Sequence, residues 1–399
     1  MGKLILTAIL LFDAITAQAS SRPLSYHEQI IAVGGKQRTV QVPAGFKLEL
    51  LTTDLDGPRL LTFAANGVLF IGSRSGRVYR LVPPYTSPEV LVDLGDYPHS
   101  VAFRKGEILI ARTDGLYRAP YHPGQKRLDP DTVTLLAALP AGGGHSSRTV
   151  GVGPDGRVYL SLGISHNCSS QYLDDSYPPD DRRGGIMVLE EEGSKPRWKA
   201  YASGLRNPVG FAWQPKTGAL YASNNGPDHW GFELPPEYFS RIDAGSFHGM
   251  PWFQYDGDRI RRDGCIRTRP PRPARDVTLP AAMFPARNAP LGVTFVPQGA
   301  LDKALELDAI VALHGSWATR PAGDYFGNKA TRRPPKIVVV RFENGHALRV
   351  DDLITGFQLP DGQRWARPAG VAVGLDGALY FTSDSDTHGL FRLRRDGGE

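Results

Sequence analysis

Only two cysteines, Cys168 and Cys265, occur in the 399 residues. That is too few for a disulfide framework and enough for one bridge, whose formation the sequence leaves open. Lys plus Arg number 46 against 41 Asp plus Glu, and no block of five or six like charges exists, so a phosphate backbone is not the expected partner. After the N-terminal region no apolar run approaches the ~18 residues that cross a bilayer. The chain has no HExxH, no CxxC pair, no EF-hand loop, no P-loop, no GxSxG and no strand-bounded GxGxxG. Zinc hydrolysis, nucleoside triphosphates and nicotinamide chemistry therefore have no motif to stand on. What is abundant is turn chemistry: 45 Gly and 33 Pro, spread along the chain, exclude a helical bundle and suit a fold dense in tight turns.

The N-terminus reads Met1-Gly2-Lys3, then an apolar run from Leu4 to Phe12, then Ala17-Gln18-Ala19. A basic start, an apolar segment and a small-x-small site describe a secretory signal, here residues 1–19. The competing reading is a buried N-terminal strand or helix. Cleavage would leave residues 20–399 as one soluble unit in the periplasm or outside the cell, where the two thiols meet an oxidising environment.

One strand-turn-strand pattern recurs from Leu61, Val101, Val150, Phe211, Val293 and Val371, for example VGVGPDGRVYLSLG and VAVGLDGALYFTSDS. Each copy has an alternating apolar strand, a Gly turn and a second strand. Third strands follow at Arg77, Gly185, Lys336 and Leu390, and fourth strands at Glu89 and Thr132. Repeated four-stranded units arranged radially predict an all-β, six-bladed β-propeller with antiparallel blades. The segment from Phe46 to Leu55 occupies a fourth-strand position ahead of the first copy, so it is expected to complete the last blade and close the ring.

In such a blade, the segment leading into the innermost strand and the loop joining the second and third strands emerge on the same face. The leading segments carry Arg59, His99, His145, Arg148, Arg206, Asn207, Arg287, Asn288, Arg364 and Arg367. Six arginines and two histidines are thus expected around one channel mouth, under the long loops 164–183, 224–238 and 314–335. One arginine at a strand start is an ordinary solvated residue. Recurrence at the same register points instead to a ligand with several carboxylates or phosphates. His145 follows Gly142-Gly143-Gly144, which permits close approach of another group, and a neutral imidazole there could accept a hydroxyl proton. His99 and His314 read equally well as packing residues. Asn224-Asn225-Gly226-Pro227-Asp228 ends a strand and frees carbonyls that would suit a hard cation, although N-G-P is also a common turn.

Several segments together resemble the secreted quinoprotein dehydrogenases of the glucose and sorbosone dehydrogenase group, closest to its sorbosone-type branch. They are HSSRTVGVGPDGRVYLSLG from His145, RRGGIMVLE from Arg182, ASGLRNPVGFAW from Ala202, LPPEY from Leu234, APLGVTF from Ala289, ALHGSW from Ala312 and RPAGVAVGLDGALY from Arg367. The resemblance implies pyrroloquinoline quinone (PQQ), a tricarboxylate, over the mouth, with Ca²⁺ bridging it to the protein. It implies His145 as the base, Arg206 and Asn207 on quinone and carboxylate oxygens, Arg148 and Arg367 on carboxylates, and Asn225 at the cofactor edge. Carbonyls of Gly226 and Pro227 would ligate the metal, and Trp317 or Arg320 would line the cofactor. The implied substrate is an aldose or related sugar, with an unidentified electron acceptor and a monomer or homodimer as the assembly. Three positions depart from the family pattern, one of them HSSR from His145 in place of the bulkier HWTR of that branch. Phe232-Glu233 replaces paired acids and bears on the calcium environment; Arg287-Asn288 replaces a histidine and bears on the substrate side.

Two other functions share this architecture: a calcium-dependent hydrolase of the lactonase type and a non-enzymatic binding propeller. The hydrolase would need several carboxylates at the mouth, where arginine dominates.

Overall fold

The computed structural model describes residues 23–192 and 195–397; the expected export segment, 1–19, lies outside them. Six four-stranded antiparallel sheets account for the repeats. Blade 1 comprises Pro58–Phe63, Leu69–Ser73, Arg77–Leu81 and Glu89–Asp93. Blade 2 comprises Ser100–Arg104, Glu107–Arg112, Gly115–Pro120 and Thr134–Ala138. Blade 3 is built from Arg148–Val152, Val158–Leu162, Gly185–Glu190 and Arg197–Ser203, and blade 4 from Phe211–Trp213, Leu220–Asn224, Glu237–Ile242 and Ala282–Phe284. Blade 5 uses Pro290–Phe295, Ala309–Leu313, Lys336–Glu343 and His346–Ile354. Blade 6 uses Pro368–Val373, Leu379–Ser385 and Thr387–Arg395, and its outer strand is Phe46–Thr52, registered Leu393 against Leu48. The ring therefore closes through the N-terminal strand, as its position in the sequence predicts.

Alternation along each strand sends one set of side chains to the preceding blade and the other to the following one. Leu69 and Ile71 pack with Tyr380 and Leu390 of blade 6, whereas Phe70 packs with Ile108 and Ile110 of blade 2. The same division makes a separate apolar cluster at each of the six blade interfaces. Near the axis, innermost strands approach so closely that side chains are excluded: a Cβ on Gly210 would meet the Leu291 carbonyl at 2.2 Å, and one on Gly370 the Arg59 carbonyl at 2.6 Å. The innermost strands enclose a channel of about 270 Å³, lined by Thr62, Ser100, Thr149, Val293 and Val371 among others.

Two additions do not belong to the repeat. A hairpin, Tyr26–Val33 with Lys36–Pro43, covers the seam beside blades 5 and 6 and inserts Ile31, Val33, Val40 and Val42 into that core. Between the third and fourth strands of blade 4, a segment climbs the outer edge of blade 3, with Phe247 bridged in parallel to Ser203. It reaches the mouth face, forms the hairpin Phe253–Tyr255 with Ile260–Arg262, and bonds Cys265 to Cys168. No described helix is long and apolar enough to cross a membrane.

Candidate active site at the channel mouth

The antiparallel order brings the starts of all innermost strands to one face, where a chain of contacts runs through all six blades. Arg59 pairs with the buried carboxylate of Asp384, whose other oxygen lies 2.6 Å from His314 Nε2. His314 N–H donates to Ala289 O, and the next carbonyl, Pro290 O, accepts from Asn225 Nδ2 at 2.8 Å. Asn225 also donates to Asn207 O at 3.2 Å. Gly163 lies between Asn207 and His145: a Cβ there would sit 2.5 Å from Asn207 Oδ1 and 2.9 Å from His145 Cβ. Arg148 follows, its carbonyl 2.9 Å from His99 Nδ1, and His99 O accepts from Leu60 N beside Arg59. The expected ring of arginines, histidines and asparagines is assembled on a single face.

The glycine run before His145 does what its lack of side chains permits. Gly142 and Gly143 take left-handed φ of 80°, and a Cβ on Gly143 would meet Ser165 Cβ at 2.5 Å. His145 Nδ1 bonds the Ile164 carbonyl, which fixes the proton on Nδ1 and leaves Nε2 as an acceptor with no protein partner among the described residues. Burial first, and then the charge of Arg206, push this imidazole down to about 3, so it stays neutral at ordinary pH.

The guanidiniums are not arranged as free hands around an open cup. Arg148 is fully buried and donates to the carbonyls of His145 at 2.7 Å, Ser147 at 2.9 Å and Pro140 at 3.1 Å. Arg148 therefore holds the loop that carries His145 through Nη1 and Nη2, while its buried Nε has no partner among the described residues. Strand alternation explains the direction, since Arg148 shares a side with Val150, which faces blade 2. Arg206 donates to Asn167 through both the backbone oxygen and Oδ1, at 2.9 Å each. Arg367 donates to the carbonyls of His314 and Gly315. Trp317 is half exposed and packs edge-on to Tyr325; Arg320 ion-pairs with Glu233 at 2.9 Å and lies over the Phe232 ring.

Four of these cations, Arg148, Arg183, Arg364 and Arg367, have no carboxylate within ion-pair range among the described residues. Burial leads in pulling all four below the ordinary arginine range, Arg148 to about 9 with help from the charge of Arg183. The mouth also holds buried polar atoms with no partner among the described residues: His99 Nε2, Asn207 Oδ1 and Arg59 Nε. Surplus positive charge beside unpaired polar atoms fits a polyanion with several carboxylates and carbonyls.

Several contributors carry no role in the sequence reading. Arg183 donates to Gly163 O and Gly142 O, both at 2.9 Å, and so braces the His145 loop together with Arg148. Asp384 balances Arg59, and Glu237 bonds backbone N–H groups of Gly226 and Arg287. An acid inside the apolar LPPEY segment was the available signal for Glu237. Burial pushes its carboxyl up to about 7.

The metal corner differs most from expectation. Pro227 O, implied as a calcium ligand, accepts from Arg287 Nη1 at 2.7 Å. Arg287 thus stands on the metal side, which corrects its assignment to the substrate side. Ca²⁺ takes six to eight oxygens at about 2.3–2.6 Å, and a guanidinium bonded to one of those oxygens does not leave room for it. The residues present do not fit a calcium ion at this place.

A surface cavity of about 820 Å³ opens on the opposite face around Gly299, Asp302, Asp376 and Arg392. Charged groups there are already paired, Arg395 with Asp302 and Arg392 with Glu49. The mouth, with its unpaired polar atoms, is the better site.

A sequence model described as glucose / sorbosone dehydrogenase matches residues 111–315. An uncharacterized protein of Borreliella burgdorferi is 25% identical over 398 residues, covering 95% of this chain and 94% of that protein. The fold is similar to the calcium structure of a Trichoderma reesei carbohydrate-active enzyme of family AA12, at TM-score 0.73 and 20% identity over 89% of this chain and 96% of that one. It is also similar to the holo form of the PQQ domain of pyranose dehydrogenase from Coprinopsis cinerea, at TM-score 0.70 and 19% identity over 90% of this chain and 97% of that one.

Proposed function

The chain belongs to the glucose/sorbosone dehydrogenase family, and from that we propose that it is an exported quinoprotein oxidoreductase that oxidises an aldose or related sugar with PQQ held over the mouth. The observation that carries this reading is the pairing of one neutral, oriented imidazole with a surplus of buried guanidinium charge. Bound PQQ would supply the two-electron acceptor for the hydride leaving the sugar carbon. The protein's part is proton handling and orientation. His145 Nε2 takes the proton of the reacting hydroxyl while Nδ1–H stays on the Ile164 carbonyl. An imidazole titrating near 3 is a weak base; three carboxylates beside Arg148, Arg183 and Arg206 would offset the charges that depress it and raise its basicity.

In this reading Arg206 and Asn207 hold quinone and carboxylate oxygens, with the unpartnered Asn207 Oδ1 as one contact point. Arg367 and Arg364 supply charge for carboxylates from the blade 6 side, and Asn225 borders the cofactor. Trp317 and Arg320 border the site from the long loop of blade 5. The Cys168–Cys265 bridge supports export to an oxidising compartment. The hydrolase alternative is disfavoured because Asp384, Asp228 and Glu237 are each already bonded to a guanidinium or to backbone N–H groups.

Addition of PQQ to the purified chain, followed by a sugar panel with a dye acceptor, tests the proposal. Binding of the quinone and its reduction by an aldose are expected. H145Q should keep PQQ binding and lose turnover by about 10²-fold or more. Full turnover in H145Q, or no PQQ binding by the parent protein, would reject it.

A further inference from the structure

Arg287 is 1% exposed, yet it carries a full positive charge into the corner made by the turn after blade 4's second strand. Its Nη1 donates to Pro227 O at 2.7 Å and to Asp228 Oδ1 at 3.0 Å. Its Nη2 donates to Leu234 O at 2.7 Å, and its Nε to Gly231 O at 2.9 Å. One guanidinium therefore gathers three carbonyls and a carboxylate, the kind of oxygen set that a hard cation collects.

The backbone is arranged to keep it there. Arg287 and Ala289 adopt φ of 68° and 50°, a left-handed conformation that side-chain-bearing residues take only when the surroundings enforce it. Enforcement comes from Glu237, whose Oε1 accepts Arg287 N–H at 2.9 Å while its other oxygen accepts from Gly226 N–H. Arg287 O in turn accepts from Ser316 N at 2.9 Å, which ties the corner to blade 5. The corner is already cationic: Asp228 lies 3.0 Å from Arg287 and 3.7 Å from Arg206, so two guanidiniums share one carboxylate. A divalent ion added at the Pro227 oxygen would bring two uncompensated charges against Arg287.

We infer that the Arg287 guanidinium stands where a divalent cation would otherwise sit beside Gly226 and Pro227, so that this protein binds its polyanionic quinone without calcium. The inference rests on the quinoprotein reading above. Arg287 presents a fixed positive charge at the Pro227 oxygen, and Asp228 and Glu237 hold it in place.

The test uses the full chain stripped with EGTA and titrated with PQQ in EGTA or in saturating calcium, following the quinone absorbance. The parent protein should bind PQQ equally in both, within about twofold. Calcium alone should give no binding heat by calorimetry and no rise in Tm. R287Q, which keeps much of the side chain's length and loses its charge, should bind PQQ at least about tenfold more weakly in EGTA and recover in calcium. A parent protein whose PQQ affinity rises about tenfold with calcium, or that binds calcium in the apo state, overturns the inference. So does an R287Q protein that is unaffected in EGTA or is not rescued by calcium. Should R287Q fail to fold, the two parent-protein measurements decide alone. Failure of PQQ to bind under either condition rejects the quinoprotein reading instead, and the calcium calorimetry still judges whether the corner excludes the metal.

Discussion

The contact between His145 and Asn207 through Gly163 offers a sharp perturbation, because a single methyl group at Gly163 touches both residues. In G163A the new Cβ would lie 2.5 Å from Asn207 Oδ1 and 2.9 Å from His145 Cβ. Relief to ordinary contact requires the amide to move by about 1 Å and the imidazole by about 0.5 Å, since carbon atoms pack best near 3.5–4.0 Å. The amide can rotate, as Oδ1 has no protein partner to lose among the described residues, although in loaded protein the rotation would also draw Oδ1 from its proposed quinone contact. The imidazole is less free, because Ile164 O holds Nδ1 and the backbone of its loop is braced by Arg148 and Arg183. Overpacking of this kind costs ~1–3 kcal/mol, and misplacement of a reacting group by ~1 Å costs up to ~10²-fold in rate. Spread over a chain of this length, the stability loss is a Tm fall of only about 1–4 °C. The expected signature is therefore disproportion: dye-linked sugar oxidation in PQQ-loaded G163A drops by ~10–10²-fold while the protein stays folded at the assay temperature. Turnover equal to the parent protein, or a loss no larger than the unfolded fraction, would refute the placement of His145, beside Asn207, as the reacting base.

Arg183 and Arg148 act on His145 through its loop, so R183Q should lower kcat by about tenfold or more with a smaller change in the sugar KM, measured by steady-state kinetics on PQQ-loaded protein. Equal loss in both parameters would mean that Arg183 binds substrate uniformly. The disulfide closes a sequence separation of 97 residues and flanks Asn167, the partner of Arg206. C168S/C265S should lose ~4 kcal/mol or more in urea unfolding by the chain-entropy argument and should weaken PQQ binding; unchanged affinity would show that Asn167 needs no such support. Acid should destabilise the fold. Burial lowers His99, His145, His248 and His314, the last three to about 3, 4 and 4, so the unfolded chain takes up these protons first as pH falls through 6.5. Glu237 and Asp308, both raised to about 7, bind protons first in the folded state and oppose the trend. Four protons against two leave stability falling by ~2–3 kcal/mol per unit between pH 6 and pH 5, checked by urea unfolding at both values. A flat or rising profile would show that these imidazoles are not buried neutral.

The propeller was legible because its signals are local. A strand of period two and a Gly turn, repeated from Leu61 to Val371, fix the blades, and their faces follow from antiparallel order alone. The N-terminal hairpin was missed although Gly34-Gly35 marks its turn, because its buried apolar positions, Ile31, Val33, Val40 and Val42, make only two short alternations beside polar residues. The climb of the blade 4 insertion along Ser203 was not readable, since it depends on pairing between Phe247 and a strand more than forty positions earlier. Pairing of Cys168 with Cys265 depends on that same climb.

Within the site, position was readable and direction was not. A leading segment places a residue at the mouth, but strand parity and backbone φ decide where its side chain goes. Parity turns Arg148 and Arg59 between blades with Val150 and Leu61, so each is buried against its neighbour. A left-handed φ at Arg287 turns its side chain toward Pro227, although Asn288 next to it extends to the Pro334 carbonyl at 3.2 Å. Residues sharing one register therefore separate into those that hold the loops and those that present charge. The cost of burying guanidiniums without carboxylates shows in depressed arginine pKa values, as at Arg364 and Arg367, which lie at about 9 and about 10. A polyanion that neutralises them recovers that cost on binding. For this reason a fold stabilised by PQQ should gain most in variants that keep Arg364 and Arg367, and R367Q should show a smaller rise in Tm on adding PQQ than the parent protein does. An equal rise would place the anion away from blade 6.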